Sequence, residues 1–146
     1  MKVQNRRLQI LLVEDSVSDT MLIRRSFNRS KLDHTLYCIE DGEKAIALLK
    51  QHGADKQVVR PNLIILDLNL PRLDGREVLA RIKQDPALKH IPVIILTTSS
   101  AEQDVMRSYE LHANCYIVKP FDVDDFLQIA NFIEQFWLST VTLPTP

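Results

Sequence analysis

The sequence predicts a parallel α/β sheet with helices on both faces. Three observations carry this. Five short apolar runs alternate with five amphipathic segments in β–α order. The first, third and fourth runs are nearly unbroken Leu, Ile and Val, the pattern of a strand covered on both sides. The chain has 146 residues, 45% of them apolar, enough for one ordinary core.

The elements follow in order. The first strand is Leu8–Val13 and ends in two acids, Glu14 and Asp15; a helix follows near 17–29. The second strand is Thr35–Ile39, with a helix near 42–51. Residues 53–62 form a loop longer than usual, with Pro61 near its end. The third strand, Leu63–Leu66, runs into Asp67, and its helix near 75–84 is stopped by Asp85–Pro86. The fourth, Val93–Leu96, is followed by Thr97 and Thr98. Ser99 with Glu102, or Ser100 with Gln103, fits a capping box for a helix near 101–110. The fifth, Cys115–Val118, leads to Lys119–Pro120, and Asp122 is placed to cap a last helix near 122–138. The tail from Ser139 to Pro146 is rich in Thr and Pro and is expected to extend over the surface or fray. The expectation is one domain over 1–146, with its core at about 7–138.

Composition excludes several function classes. The net charge is −1 and no block of like charges occurs, which disfavours electrostatic binding to nucleic acid. No apolar stretch approaches the roughly 20 residues that span a membrane. The three glycines, at 42, 53 and 75, are too scattered for a Gly-rich phosphate loop. Two distant cysteines, Cys38 and Cys115, suit a reducing cytoplasm. The four histidines show no metal-ligand spacing.

In open α/β sheets, sites lie beyond the carboxyl ends of the strands. Glu14, Asp15, Asp67, Thr97 and Lys119 all follow strand ends and so converge there. Three carboxylates packed together repel one another, and a hard divalent cation such as Mg²⁺ removes that penalty. Asp15, Asp67 and a backbone carbonyl just after Asp67 are its candidate ligands, with Glu14 holding a water. Asp67 is then a candidate nucleophile at phosphorus, with Lys119 and Thr97 neutralising charge on the transferring group.

These residues resemble the receiver domains of two-component response regulators over about 7–138. The matching motifs are Leu-Val-Glu14-Asp15, Leu-Asp67-Leu-Asn-Leu-Pro71-x-x-Asp74-Gly75, Leu-Thr97 and Lys119-Pro120. The resemblance implies a flavodoxin-like (βα)5 fold with strand order 2-1-3-4-5. It also implies that Asp67 accepts a phosphoryl group from a histidine kinase, without the protein being an enzyme in the usual sense. Glu14 and Asp15 would organise Mg²⁺, the Asn69 carbonyl would complete the protein ligands, Lys119 would contact the phosphoryl group, Thr97 would move to it, and Tyr116 would be an aromatic switch. Lys119–Pro120 would carry a cis bond. The implied order puts Cys38 and Cys115 at opposite sheet edges, about 19 Å apart, too far for a disulfide.

Three stretches are similar to the small response regulators paired with cyanobacterial phytochromes: Arg60-Pro61-Asn62, Ser108 to Tyr116, and Phe136-Trp137-Leu138 with Val141 to Pro144. That similarity implies a phytochrome-type kinase as donor and a homodimer. The last helix fits a dimer independently. Phe126, Ala130, Ile133 and Trp137 suit the core, while Ile129, Phe132 and Phe136 spread its apolar arc far beyond the ~100° a surface helix needs. That flank is a partner surface or a broad core face covered by the tail.

Other readings stay open. Singly, Glu14–Asp15 could be a helix-start acid pair, Asp67 a turn former, Thr97 a strand residue, Lys119 a solvated lysine and Tyr116 edge packing. A haloacid-dehalogenase-type phosphatase would need a second Asp two residues after Asp67, where Asn69 stands. A carrier or sink in a phosphate relay, and a scaffold that accepts no phosphate, are further alternatives. Thr98 occupies a position that is often Ala or Gly in receivers, and is expected to slow phosphoryl entry and hydrolysis. With no room expected for an output domain, the signal should leave by protein contact or relay.

Overall fold

A computed structural model describes residues 7–30, 33–51 and 60–144. Five strands, β1 (Leu8–Val13), β2 (His34–Ile39), β3 (Leu63–Leu66), β4 (Val93–Thr97) and β5 (Cys115–Val118), form one parallel sheet in the order β2-β1-β3-β4-β5. Five helices follow them: α1 (Val17–Phe27), α2 (Gly42–Gln51), α3 (Gly75–Gln84), α4 (Glu102–Glu110) and α5 (Val123–Ile133). The predicted fold class and strand order hold. Among the described residues no helix is long and apolar enough to cross a membrane.

Strand periodicity divides the core in two. Leu11 and Val13 of β1, Ile64 and Leu66 of β3, and Val93 and Ile95 of β4 face α2 and α3. Their alternates Ile10, Leu12, Leu63, Ile65, Ile94 and Leu96 face α1 and α5. The central strands are buried on both faces, which explains their unbroken apolar sequences. Cys38 and Cys115 are free thiols on the opposite edge strands, and burial raises the pKa of both.

Several expectations are corrected. Neither capping box forms: α4 begins at Glu102, with Ala101 at the N-cap and no side-chain cap. The Ser99 hydroxyl donates to the Asp104 carboxylate at 2.6 Å while its oxygen accepts the Ala101 N–H at 3.4 Å, and the helix starts two residues later than a Ser99 cap requires. No described peptide bond is cis, so Lys119–Pro120 is trans, the form favoured by about 0.5–1 kcal/mol even before proline. The last helix does not run regularly to 138. After Ile133 it widens into a π-helical segment, Glu134–Thr140. The i→i+5 winding brings Leu138, five residues on, under Ile133, so Leu138 is buried where Trp137 was expected and Trp137 is only half-buried. Asp85 ends α3, and Asp122 caps α5 by accepting from the N–H groups of Asp124 and Asp125; β2 starts one residue earlier than expected, at His34, β4 extends through Thr97, and α1 stops at Phe27.

Most of the long loop, 52–59, lies outside the described residues, as do the last two positions. The Asn62 side chain accepts from Gln9 N–H at 2.8 Å and donates to the Pro144 carbonyl at 3.2 Å. Leu143 packs on the α1–α5 side of the core, so this part of the tail is fastened down.

Candidate functional site

The backbone delivers the acids. Beyond β1, Glu14 N–H donates to the Ile39 carbonyl; beyond β3, Asp67 N–H donates to the Val13 carbonyl. Each bond carries the ladder one residue past its strand, so both side chains emerge at the same end of the sheet. Lys119 is set by its own N–H, which donates to the Thr97 carbonyl at 2.7 Å. Gly75 allows the Asp67 loop to fold back. A Cβ there would collide with the Asp67 carbonyl oxygen and lie 2.6 Å from Leu68 Cα, while Gly75 N–H donates to the Leu68 carbonyl.

The predicted acids and lysine do come together. Lys119 Nζ lies 2.6 Å from Glu14 Oε1, 2.9 Å from Asp67 Oδ2 and 2.9 Å from Asp19 Oδ2. Glu14, Asp67 and Lys119 are buried, while Asp15 is exposed beside them. Asp67 Oδ1 accepts the Asn69 N–H and Glu14 Oε2 accepts the Ser16 N–H. Burial pushes the Glu14 carboxyl up to about 7; Lys119 pulls it back and the Asp67 charge adds to the rise. Burial also weakens the Lys119 ammonium, but its hydrogen bonds to Glu14, Asp19 and Asp67 outweigh that and hold its pKa above the ordinary lysine value.

One ammonium thus faces an excess of carboxylates. One ligand oxygen from each of Glu14, Asp15 and Asp67 lies within 4.8 Å of the others. An all-oxygen set at this spacing fits a hard divalent cation.

The two residues expected to form a switch, Thr97 and Tyr116, lie on β4 and β5. Thr97 ends β4; its Oγ1 is buried with no hydrogen-bond partner. An unpaired buried hydroxyl costs about 1–3 kcal/mol, and Gln9 Oε1 and Ser108 Oγ are buried in the same way. Tyr116 is partly buried on β5, and its phenol donates to the Ser99 carbonyl at 2.8 Å. Burial raises its pKa. Asn69 is exposed beyond Asp67.

Asp19 was not anticipated. An acid in the first turn of a helix reads as a partner of the helix dipole. The available signal was its place four residues after Asp15, on the turn that opens beside the acid pair. Arg76 and Asp104, which tie α3 to α4, were likewise not singled out.

Comparison with known proteins is consistent with this geometry. Residues 10–131 match the model of the response regulator receiver domain. The chain is 55% identical over 135 residues to response regulator Rcp1 of Synechocystis sp., covering 92% of each chain. The crystal structure of the Mn²⁺-bound form of Rcp1 superposes with a TM-score of 0.91 at 54% identity, covering 94% of this chain and 99% of that one. The phosphorylated cyanobacterial phytochrome response regulator RcpA superposes with a TM-score of 0.91 at 49% identity, covering 96% of this chain and all of that one.

Proposed function

The chain belongs to the response regulator receiver domain family, and from that premise we propose that it accepts a phosphoryl group on Asp67 from a phytochrome-type histidine kinase in the cytoplasm. The observation that carries the reading is the cluster in which Lys119 bridges Glu14 and Asp67. Similarity to response regulators associated with cyanobacterial phytochromes supports the donor.

Asp67 presents a carboxylate oxygen to phosphorus. The P–N bond of the phosphohistidine breaks as the P–O bond forms, and the imidazole, already protonated on its other ring nitrogen, departs neutral. Lys119 and the unpaired Thr97 hydroxyl donate to the phosphoryl oxygens. Glu14, Asp15, Asp67 and the Asn69 carbonyl would hold Mg²⁺, which would supply positive charge against the same oxygens. Burial of Glu14 and Lys119 keeps water from competing for these contacts. As Thr97 turns toward the phosphoryl group, Tyr116 changes position and the β4–α4 region alters its affinity for partners. Slow autodephosphorylation resets the switch.

The same reading includes a symmetric homodimer through α5 and its π-helical extension. Phe132 and Phe136 are exposed there, with rings stacked 5.8 Å apart and nearly parallel, on the flank predicted to be a partner surface.

The test is phosphotransfer from a labelled phytochrome-type kinase in the presence of Mg²⁺. Label should pass to the wild type, and not to Asp67→Asn. Label retained on Asp67→Asn refutes the acceptor, and no transfer to the wild type refutes the donor class.

A further inference from the structure

The Lys119 ammonium is saturated. A lysine carries three N–H donors, and Glu14, Asp67 and Asp19 each take one, at 2.6, 2.9 and 2.9 Å. A phosphoryl oxygen on Asp67 can reach this ammonium only when one of the three lets go.

The three acceptors are not equivalent. The Glu14 and Asp67 side chains are 2% and 7% exposed; Asp19 is 23% exposed. Glu14 makes the shortest of the three contacts and is the most buried, so water is least able to replace the ammonium there. Asp67 is the residue being esterified. Asp19 sits on the first turn of α1, where water can hydrate it once it is released. It also stands apart from the three acids whose oxygens could share a metal ion.

We propose that Asp19 is a positioning residue for phosphorylation: the exchangeable acceptor that parks Lys119 in the resting protein and yields it to the phosphoryl group. This rests on Asp67 being the phosphoacceptor. The strength of the Asp19–Lys119 contact then sets how readily the aspartyl phosphate forms.

Labelling with acetyl phosphate and Mg²⁺ tests this in the wild type, Asp19→Asn and Asp19→Glu, each with Lys119 intact and with Lys119→Met. Asp19→Asn should label about two- to fivefold faster, the value of one partly exposed ion pair. Asp19→Glu, which restores the acceptor, should return toward the wild-type rate. In the Lys119→Met background the Asp19→Asn effect should vanish. Affinity for beryllofluoride, a static phosphoryl mimic, should rise by the same factor in Asp19→Asn. If Lys119→Met does not fold, Lys119→Arg replaces it; the five donors of arginine leave spares, so the effect should shrink there too. An unchanged rate in Asp19→Asn overturns the proposal. So does an acceleration that persists without Lys119, which would mean simple relief of charge repulsion. Absence of label on the wild type is a different failure, that of Asp67 as acceptor.

Discussion

Arg76 grips Asp104 with two contacts, Nε to Oδ1 at 2.9 Å and Nη2 to Oδ2 at 2.8 Å. Arg76 lies in the first turn of α3, just past the Asp67 loop, and Asp104 in the first turn of α4. Asp104 also accepts the Ser99 hydroxyl, and the Ser99 carbonyl accepts the Tyr116 phenol. A continuous chain of polar contacts therefore runs from the helix after the Asp67 loop to Tyr116.

Arg76→Met should lower unfolding stability in urea by about 1 kcal/mol, the range for a bidentate pair at the edge of solvent. Reversing the pair, with Arg76→Asp and Asp104→Arg together, should recover part of the loss. No recovery would show that the stabilisation comes from the arginine stem or from its second partner, Asp74, at 2.9 Å.

Asp104 is held below the ordinary carboxylate value of 3.8, first by its hydrogen bond from Arg76 and then by that from Ser99. A depressed acid stabilises the fold above its unfolded pKa, and that contribution fades as pH falls through the lower folded value. Below about pH 3.8 the urea midpoint of the wild type should therefore fall more steeply than that of Asp104→Asn. Parallel curves would contradict this.

Gly75→Ala should cost about 1–3 kcal/mol, because the added methyl meets the backbone of Asp67 and Leu68. Since that backbone positions the acceptor, labelling by acetyl phosphate should slow in molecules that remain folded. A variant with wild-type melting and labelling would show that the loop has slack.

Thr98 is exposed directly after the buried Thr97. Thr98→Ala should speed both phosphoryl entry and hydrolysis, followed as the rise and decay of label. If both rates stay put, the side chain does not narrow access.

Phe132→Glu should convert a dimer to a monomer in sedimentation at micromolar concentration, with circular dichroism unchanged. A monomeric wild type, with and without phosphorylation, would remove the dimer from the proposed function.

Much of this was legible in sequence because the relevant signals are local. Strands buried on both faces write themselves as Leu/Ile/Val runs, and the residues just after them mark the site end of the sheet. The strand order came from resemblance, since apolar runs alone do not say which strand is central. The losses were tertiary. Asp19 matters through a lysine 100 residues away, and nothing near it in the chain announces that. Ser99 looked like a cap because Glu102 is three residues on, but the helix begins only after Ala101, and the Ser99 hydroxyl reaches forward to Asp104, which Arg76 holds from another helix. Leu138 took the expected place of Trp137 because a single wide turn shifts the register, which a fixed 100° per residue cannot foresee.

The cluster also has a consequence for biosynthesis. Lys119 meets partners 52 and 100 residues earlier in the chain. Contacts this remote form late, because the intervening chain must be closed before they stabilise anything. The lysine that joins the acids arrives only when β5 has docked on the far edge of the sheet. A nascent or partly unfolded molecule therefore lacks the completed cluster, which closes only when the sheet does.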